Sequence, residues 1–208
     1  MPDSRDDYLQ PYRQAEGAFG GQAFDVTLWA SETSQQKRFE VFAAMLNLTG
    51  KRLLDAGCGR GDFAAYLARR RIRFASFIGV DALEQVIAFA NQRRLRRCRF
   101  VAGDFVENPS LLATDAPEII TLSGTLNTMD PDTTRGLLDG AWRATSQVLA
   151  FNFLADTAGP LAPRQEWPAK RLNTRALLDF AFERTWNVRF RQDYFRHGHD
   201  ATIVMTKP

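Results

Sequence analysis

The feature that most constrains this chain is a glycine-rich turn between an apolar strand and an apolar helix. Leu53 and Leu54 lead into Asp55, glycines stand at positions 57, 59 and 61, and Phe63 is the first core residue of the helix. Because glycine lacks a Cβ atom, it allows a tight turn and a close ligand, and the N–H groups at a helix N-terminus can face that ligand. The segment therefore predicts a ligand site at a strand–turn–helix junction, although such a turn can also bind nothing.

The spacing of the turn indicates what kind of ligand it suits. A dinucleotide site has the pattern G-x-G-x-x-G, which requires a small residue at position 62, where this chain has Asp62. Asp55 places a further carboxylate directly before the turn. A carboxylate beside the turn favours a ligand that carries positive charge over one that carries pyrophosphate.

Length and composition predict an ordinary globular domain. The chain has 208 residues, of which 45% are hydrophobic and 25% charged, enough for one domain with a large core. No apolar run approaches the roughly 20 residues of a membrane span, and the stretch 1–7 lacks the apolar character of a signal peptide. Cys58 and Cys98 are too few for a disulfide framework. We expect a cytoplasmic protein without a membrane partner.

Arginine is unevenly distributed and forms two dense clusters, at 69–73 and 93–99. Clustered guanidinium groups can bind nucleic acid. They can equally lie at helix C-termini, where cations meet the negative end of the helix dipole. Both clusters fall where the pattern predicts that helices end, which favours the second interpretation. Nucleic acid is therefore not the expected partner.

From position 52 onward, apolar strands alternate with amphipathic helices. The predicted strands are 52–56, 74–80, 98–102, 117–122 and 148–153. Helices are predicted from Asp62, around Leu83, and after an N-cap at Asp130 with Pro131 in the first turn. This alternation is typical of a parallel sheet covered on both faces.

The pattern changes after the fifth strand. Asn173 or Thr174 is predicted to cap a helix whose apolar residues are Leu177, Leu178, Ala181 and Phe182. Two strand-like runs, 184–195 and 201–207, then flank His197-Gly198-His199-Asp200. Glycine and aspartate in a short connection favour a hairpin, so the sheet is predicted to end in an antiparallel pair.

The chain before the first strand predicts a lid rather than a separate domain. Pro11 interrupts a possible helix, and Thr33-x-x-Gln36 is a capping-box pattern. The helix that it opens carries Phe39, Phe42, Ala43 and Leu46 at helical spacing and is predicted to end at Gly50. Residues 1–50 are too few for their own core, so we expect a helical lid on a core of residues 51–208 within one domain.

Three further signals stand at successive strand ends, where open α/β sheets bind ligands. They are Asp81 after the second strand, Gly103-Asp104-Phe105 after the third and Ser123-Gly124 after the fourth. Together with Asp-x-Gly-x-Gly-x-Gly and the terminal hairpin, they resemble the class I methyltransferases that use S-adenosylmethionine (SAM). The resemblance covers residues 50–208.

The resemblance implies a fold, a cofactor and roles for individual residues. It implies a doubly wound, Rossmann-like, seven-stranded sheet, mostly parallel, with SAM as methyl donor and S-adenosylhomocysteine (SAH) as product. Asp81 is expected to accept hydrogen bonds from the ribose hydroxyls, and Asp104 from the adenine amino group, with Phe105 beside the ring. The cofactor residues so assigned are Trp29, Arg38, Asp55, Gly57, Cys58, Gly59, Asp81, Ala82, Gly103, Asp104, Phe105, Ser123 and Gly124.

A finer resemblance concerns a branch of small bacterial methyltransferases related to the trans-aconitate methyltransferases. It is carried by Trp29, Arg38, the run 55–63, Ser-Gly-Thr-Leu-Asn at 123–127 and Phe-Asn-Phe at 151–153. The end of the fourth strand lacks Asn-Pro-Pro-Tyr, which disfavours methylation of nucleobase amino groups. Glu118 also departs from the pattern, since many members carry Asp there.

Arg38 has a specific predicted role. At about 100° per residue it falls at the edge of the apolar stripe of its helix, neither inside nor facing solvent. A guanidinium there can bind a carboxylate through two parallel hydrogen bonds, and the methionine end of SAM supplies one. The alternative is a surface salt bridge with Asp25, Glu32 or Glu40.

Three classes of function remain open at this level. The leading prediction is methyl transfer to a small molecule by in-line displacement, which depends mainly on orientation and exclusion of water. The alternatives are a methyltransferase that acts on RNA or protein through the arginine clusters, and a SAM-binding module without catalysis. The sequence identifies no catalytic base, and His197 and His199 have no third ligand for a metal. The candidate substrate residues are Asn127, Trp167, Tyr194 and His197, each with packing or loop structure as the alternative.

Overall fold

The computed structural model describes residues 8–208. The first seven residues, which belong to the predicted lid and to the stretch considered for a signal peptide, lie outside the described residues. The seven strands are β1 Arg52–Ala56, β2 Ser76–Asp81, β3 Cys98–Ala102, β4 Ile119–Leu122, β5 Val148–Leu154, β6 Val188–Arg191 and β7 Asp200–Thr206. The six α-helices of the described residues are α1 Gln10–Phe19, α2 Glu32–Met45, α3 Asp62–Arg69, α4 Glu84–Gln92, α5 Pro131–Ala144 and α6 Thr174–Phe182.

The strands form one sheet in the order β3-β2-β1-β4-β5-β7-β6. The first five pair in parallel, and β7 runs antiparallel to both β5 and β6. This confirms the predicted doubly wound, mostly parallel sheet with an antiparallel C-terminal hairpin. The connection between β6 and β7 spans residues 192–199, which is longer than the predicted four-residue turn.

Side chains on the two faces of the sheet pack into two separate apolar clusters. Leu53 and Leu54 are neighbours in β1, yet Leu53 packs with Phe77 and Leu54 packs with Ile120, in different clusters. Successive residues of a strand point to opposite faces, so a strand covered on both sides must be apolar throughout. This accounts for the continuous apolar runs in the sequence.

Two predicted helix caps are confirmed and one is wrong. Asp130 accepts hydrogen bonds from two backbone N–H groups of α5, and Asn173 accepts one from α6. The N-cap of α2 is Ser31 and not Thr33. Ser31 has an extended backbone, and its Oγ accepts a hydrogen bond from Ser34 N at 3.1 Å. The helix also ends at Met45, five residues before Gly50.

Two further local predictions are corrected by the structure. Pro11 lies in the first turn of α1 and so begins this helix instead of interrupting it, because a first-turn N–H needs no partner. In α6 the buried residues include Leu177, Phe180 and Ala181, whereas Phe182 is 59% exposed. Phe180 lies on the same face as Leu177, three residues earlier, and Phe182 points away from it.

The arginine clusters lie at helix C-termini, as the favoured interpretation requires. Arg69 is the last residue of α3, and Arg93 is the C-cap of α4. The guanidinium of Arg93 donates to Arg60 O at 2.8 Å and to Asp62 Oδ1 at 2.6 Å, beside the glycine turn. None of the helices in residues 8–208 combines the length and the apolar character needed to cross a membrane.

The segment before β1 packs against α4 and the carboxyl ends of the strands. Ala15 of α1 and Val26 are buried in a small cluster with Leu83 and Val86. A Cβ atom on Gly21 would lie 2.3 Å from the backbone carbonyl carbon of Gln85, so only glycine permits this close approach. The packing places α1 above the strand ends and closes a cavity beneath it.

Candidate functional site

A cavity lies between the carboxyl ends of β1–β4 and the segment before β1. This is the position at which open α/β sheets bind ligands. The strand-end side is lined by Asp55, Gly57, Cys58, Gly59, Asp81, Ala82, Leu83, Val86, Asp104, Phe105, Ser123, Gly124, Thr125 and Met129. The other side is lined by Tyr8, Leu9, Tyr12, Val26, Thr27, Trp29, Gln35 and Phe39.

The turn between β1 and α3 requires its glycines. Gly57, Gly59 and Gly61 have φ values of +78°, +51° and +71°, which other residues rarely adopt. A Cβ atom on Gly57 would lie 2.4 Å from Thr125 Oγ1, and one on Gly61 would lie 2.7 Å from the ring of Phe100. The backbone conformation disfavours a side chain at all three positions, and lack of space excludes one at Gly57 and Gly61.

The backbone N–H groups of this turn are used within the protein. Gly57 N and Cys58 N donate to Val80 O at 2.8 and 3.1 Å. Gly61 N donates to Cys58 O at 3.0 Å, and Gly59 N donates to a side chain, Asp81 Oδ2, at 2.9 Å. These four N–H groups are therefore engaged within the protein, and the prediction that N–H groups at the N-terminus of α3 face a ligand stays a prediction. A turn whose donors are already engaged is poorly suited to a pyrophosphate.

Two carboxyl groups face the cavity, that of the buried Asp55 and that of the half-buried Asp81. Asp55 is 2% exposed and accepts a hydrogen bond from Thr121 Oγ1 at 2.7 Å. Burial raises the pKa of Asp55 to about 7, and burial likewise raises the pKa of Asp81. Among residues 8–208, no Lys, Arg or His side chain lines the cavity. The site therefore attracts a cation or a ligand rich in hydrogen-bond donors.

Asp104, at the end of β3, already has partners from two directions. Its Oδ1 accepts from Tyr8 Oη at 2.6 Å and from Val106 N at 2.9 Å. Tyr8 is 6% exposed, and burial together with this carboxylate raises the pKa of its hydroxyl. Tyr8, the first described residue, is thus hydrogen-bonded to Asp104, for which the sequence predicts a contact with adenine.

The end of β4 is held by β5 and covered by Trp29. Asn152 is fully buried, its Oδ1 accepts from Gly124 N at 2.8 Å, and its Nδ2 donates to Ser123 Oγ at 3.1 Å. A Cβ atom on Gly124 would lie 2.5 Å from the Trp29 ring. Glycine at this position lets an aromatic ring lie directly on the backbone.

Arg38 lies behind Trp29 and outside the cavity lining. Its guanidinium is 4.4 Å from the centroid of the Trp29 ring and 4.8 Å from that of Phe195, and it binds the carboxylate of Asp200. At 4% exposure it is buried, not at the half-exposed edge of α2 as the periodicity predicted, because Asp200 compensates its charge. Its other nitrogens donate to Ser34 O and Asp200, whereas its buried Nε has no hydrogen-bond partner, and its role as a cofactor residue stays a prediction.

Most other predicted cofactor residues lie around the cavity. Those that line it are Trp29, Asp55, Gly57, Cys58, Gly59, Asp81, Ala82, Asp104, Phe105, Ser123 and Gly124. Gly103 does not line it; a Cβ atom there would lie 2.7 Å from Leu111. Lining residues that the sequence did not single out include Tyr8, Tyr12 and Gln35, which carry no motif.

The four predicted substrate residues do not line the cavity among the described residues. Asn127 is buried, with its Oδ1 accepting from Leu154 N, and Tyr194 donates to Asp200 Oδ1 at 3.0 Å. Trp167 is 71% exposed in the loop before α6, and His197 follows β6 at a φ of +62°. Their contacts with a substrate stay predictions. In residues 8–208, no group of three or more His, Cys, Asp or Glu side chains is arranged to hold a metal ion.

The part of the chain that forms the strand-end side of this cavity is similar to a known protein family. Residues 53–147 match the family model described as a methyltransferase domain. These residues are therefore similar to methyltransferase domains. The matched residues run from β1 to the end of α5 and so include the glycine turn and the ends of β1 to β4.

One curated relative is the fatty-acid O-methyltransferase of Mycolicibacterium smegmatis, 35% identical over 85 residues. The match covers 38% of this chain and 31% of that protein, so the chain spans about a third of the length of its relative.

Solved structures share the fold over nearly the whole length of this chain. The magnesium protoporphyrin IX methyltransferase of Synechocystis PCC 6803, solved with bound SAH, is 16% identical with a TM-score of 0.67 over 98% of both chains. The N-methyltransferase NodS of Bradyrhizobium japonicum WM9, also solved with SAH, is 16% identical with a TM-score of 0.71, over 98% of this chain and 100% of that chain. At this identity the likeness concerns the fold.

Proposed function

We propose that the chain is a SAM-dependent methyltransferase that binds SAM in the cavity and transfers its methyl group to a small molecule. The observation that carries the proposal is the chemistry of the strand ends: the backbone donors of the glycine turn are engaged, while the carboxyl groups of Asp55 and Asp81 face the cavity without a cationic partner among the described residues. SAM carries a sulfonium, an ammonium, two ribose hydroxyls and an adenine amino group, all of which suit carboxylate acceptors.

The residues of the cavity fit this ligand. Asp55 and Asp81 supply negative charge beside the turn, and Asp81 and Asp104 are the proposed acceptors for the ribose hydroxyls and the adenine amino group. Gly57 and Gly124 keep the backbone free of side chains, and Cys58, Ala82, Phe105 and Ser123 complete the wall. Binding at Asp104 has to share the oxygen that Tyr8 occupies, or displace Tyr8.

The contribution of the chain to the reaction is orientation and exclusion of water. When bound, SAM supplies an electrophilic methyl group on a good leaving group. The apolar side chains from the segment before β1 keep water out of the cavity, and holding two reactants in line contributes several kcal/mol to lowering the barrier. A dedicated base is needed only for an acceptor that carries a proton on the attacking atom.

A small molecule is the acceptor class that the relatives' names support. The names given above refer to a fatty acid and a protoporphyrin, and a cavity closed by α1 suits a molecule of limited size. The branch related to trans-aconitate methyltransferases remains a finer proposal on the residues quoted for it. RNA or protein as acceptor, and SAM binding without transfer, are the alternatives.

Asp81→Ala tests the proposed cofactor site. The variant is expected to weaken SAM binding by about 1–3 kcal/mol, because buried hydrogen-bond partners are lost. Isothermal titration calorimetry of the purified variant against the parent chain measures this directly. The matched control is Asp139→Ala on the outer face of α5, which pairs with Arg143 and Arg184 and not with the cavity. Equal SAM affinity in the Asp81 variant and the parent counts against the assignment.

We further propose that the segment before residue 50 acts as a lid. Tyr8 donates a hydrogen bond to Asp104, and Ala15 packs against Leu83 and Val86 at the start of α4. A ligand that fills the cavity therefore contacts both this segment and the core. Hydrogen–deuterium exchange is expected to show slower exchange in α1 when SAM is added, while β6, at the far edge of the sheet and outside the cavity lining, stays unchanged. Identical protection of α1 with and without SAM contradicts the lid.

A further inference from the structure

We infer that two copies of this chain associate through β6, whose outer edge pairs with β6 of the second copy in antiparallel orientation. This surface is independent of the proposed function, because none of the residues that form it lines the cavity. Two features carry the inference, namely open backbone groups of β6 and three exposed aromatic rings beside them.

The two edges of the sheet differ in how their backbone groups are used. β3 forms one edge and β6 forms the other. At β3 the side chain of Asn91, in α4, donates to Phe100 O at 3.0 Å and accepts from Phe100 N at 3.3 Å. A side chain that occupies both groups of an edge residue leaves no partner for a further strand. The β3 edge is therefore closed at its centre.

The β6 edge is open at the corresponding place. Thr206 N donates to Asn187 O at 3.0 Å, so residue 187 bonds toward β7. Because the direction of bonding alternates along an antiparallel strand, Arg189 also bonds toward β7, and Phe190 directs its N–H and C=O outward. Within residues 8–208, no side chain bonds to these two groups of Phe190. They are therefore available to a strand from outside the chain.

Three large aromatic side chains are exposed around this edge. Trp186, before β6, is 77% exposed, Phe182, at the end of α6, is 59% exposed, and Phe190 is 41% exposed. Phe190 is paired with Ile203, whose side chain packs in the same apolar cluster as Leu177 of α6. Directly paired residues of two strands lie on the same face of a sheet, so Phe190 is on the face that α6 covers.

Phe182 lies on the flank of α6 that is turned away from α5. The opposite flank is bound to α5, since Glu183 pairs with Arg135 at 3.0 Å and Arg184 pairs with Asp139 at 2.9 Å. At about 100° per residue, Phe182 lies about 100° and 200° around the helix from Glu183 and Arg184. Because α5 contacts β5 and α6 contacts β7, the flank away from α5 is on the β6 side of the sheet. The ring of Phe182 is therefore on the side of the open edge.

The three rings supply a substantial part of an interface. Aromatic side chains bury about 150–250 Å² each, so these exposed fractions leave roughly 250–450 Å² of ring surface in water. A standard specific interface buries about 800 Å² per partner. The rings therefore account for about a third to a half of such an interface, which indicates a weak and reversible dimer.

The edge is complementary to a second copy of itself. When two β6 strands pair about a two-fold axis at Phe190, each Phe190 ring lies opposite the other, which is a favourable cross-strand pair. Arg189 then lies opposite Arg191 of the second copy. The Nε of Arg191 donates to Asp193 Oδ1 at 2.6 Å, so Arg189 meets a neutralised pair and not a bare cation.

Sedimentation equilibrium of the full chain tests the association. Over about 1–200 μM we expect a change from the mass of one chain to twice that mass, with a dissociation constant of roughly 10 μM. Trp186→Ala is expected to raise this constant at least roughly tenfold, because a central exposed ring is lost. The matched control is Trp167→Ala, whose ring is 71% exposed in the loop before α6 and whose loss is expected to leave the constant unchanged. Both side chains are mostly exposed, so both variants are expected to fold like the parent chain. The mass of one chain at every concentration overturns the inference, and so does an equal loss of association in the two variants.

A cysteine at the centre of the pairing tests its geometry. Opposed residues of a hydrogen-bonded antiparallel pair have Cα atoms about 5.5 Å apart, within the range of about 4.4–6.8 Å that a disulfide spans. Mild oxidation of Phe190→Cys is expected to link most chains in pairs, whereas Trp167→Cys and the parent chain, which carries Cys58 and Cys98, stay mostly single. Equal linkage of Phe190→Cys and Trp167→Cys contradicts pairing through β6, and so does an absence of linked Phe190→Cys chains at a concentration at which the parent chain is dimeric.

Discussion

Replacement of Gly57 by alanine is expected to weaken SAM binding by roughly 100-fold, equivalent to about 2.7 kcal/mol. The added Cβ atom would lie 2.4 Å from Thr125 Oγ1, whose hydroxyl donates to Ala56 O at 2.8 Å. Either the glycine turn or the end of β4 then has to move, and both line the cavity. Calorimetric titration of SAM into the variant measures the loss.

The control for this variant is Gly50→Ala. Gly50 has a φ of +73°, close to the +78° of Gly57, but a Cβ atom there meets no atom within 4 Å. Both variants therefore carry a similar backbone strain, of about 1 kcal/mol, and only one carries the clash. Gly50→Ala is expected to lose stability and keep its SAM affinity. Parallel losses of affinity in the two variants would indicate a general effect of strain and contradict the role of the turn.

The second large effect is expected from Asp55→Asn, which keeps the shape of the side chain and an oxygen for Thr121 Oγ1. Loss of the negative charge is expected to weaken SAM binding by roughly 30-fold, because a cation loses its buried counterion. The same change is expected to raise the free energy of unfolding of the ligand-free protein at about pH 8 by about 2–4 kcal/mol, since an ionised buried carboxylate opposes folding. Chemical denaturation and calorimetry measure the two effects. A variant that binds SAM as tightly as the parent chain contradicts the assignment.

The pH dependence of the parent chain follows from the pKa of Asp55, which burial raises from its ordinary value to about 7. The folded protein therefore binds the proton more tightly than the unfolded chain. The ionised Asp55 carboxylate disfavours folding at pH values above its pKa in the folded protein. This effect vanishes below its pKa in the unfolded chain, so the free energy of unfolding of the ligand-free protein falls as pH rises from about 4 to about 8. Affinity for a cation changes in the opposite direction and rises over about pH 6 to 8. Asp55→Asn is expected to flatten both profiles.

The sheet was predictable because its signals are local. The bounds of β1 and β3 agree with the apolar runs 52–56 and 98–102, and Asp130 caps α5 through N–H groups two and three residues away. Residues at strand ends also share one edge of the sheet once its strands are parallel. Asp55, Asp81 and Asp104 could therefore be assigned to one cavity without knowledge of any side-chain contact.

The remainder of the site depends on contacts between distant segments. Tyr8 and Asp104 are separated by 96 residues, and Arg38 and Asp200 by 162. Helical periodicity places Arg38 at the edge of α2 but contains no information about the carboxylate that allows it to be buried. Likewise, the use of the Gly57 and Gly59 N–H groups depends on Val80 and Asp81, in the neighbouring strand, and cannot be read from the turn alone.

The carboxyl groups at the strand ends are expected to make the cavity bind a cationic methyl donor and not a dinucleotide. Parallel calorimetric titrations of SAM and NAD into the purified parent chain test this preference. Both ligands carry adenine and ribose, but SAM has a sulfonium where NAD has a pyrophosphate. We predict saturable 1:1 binding of SAM, stronger at about pH 8 than at about pH 6, with NAD at least roughly 100-fold weaker. Tight binding of NAD together with no measurable binding of SAM would contradict this selectivity.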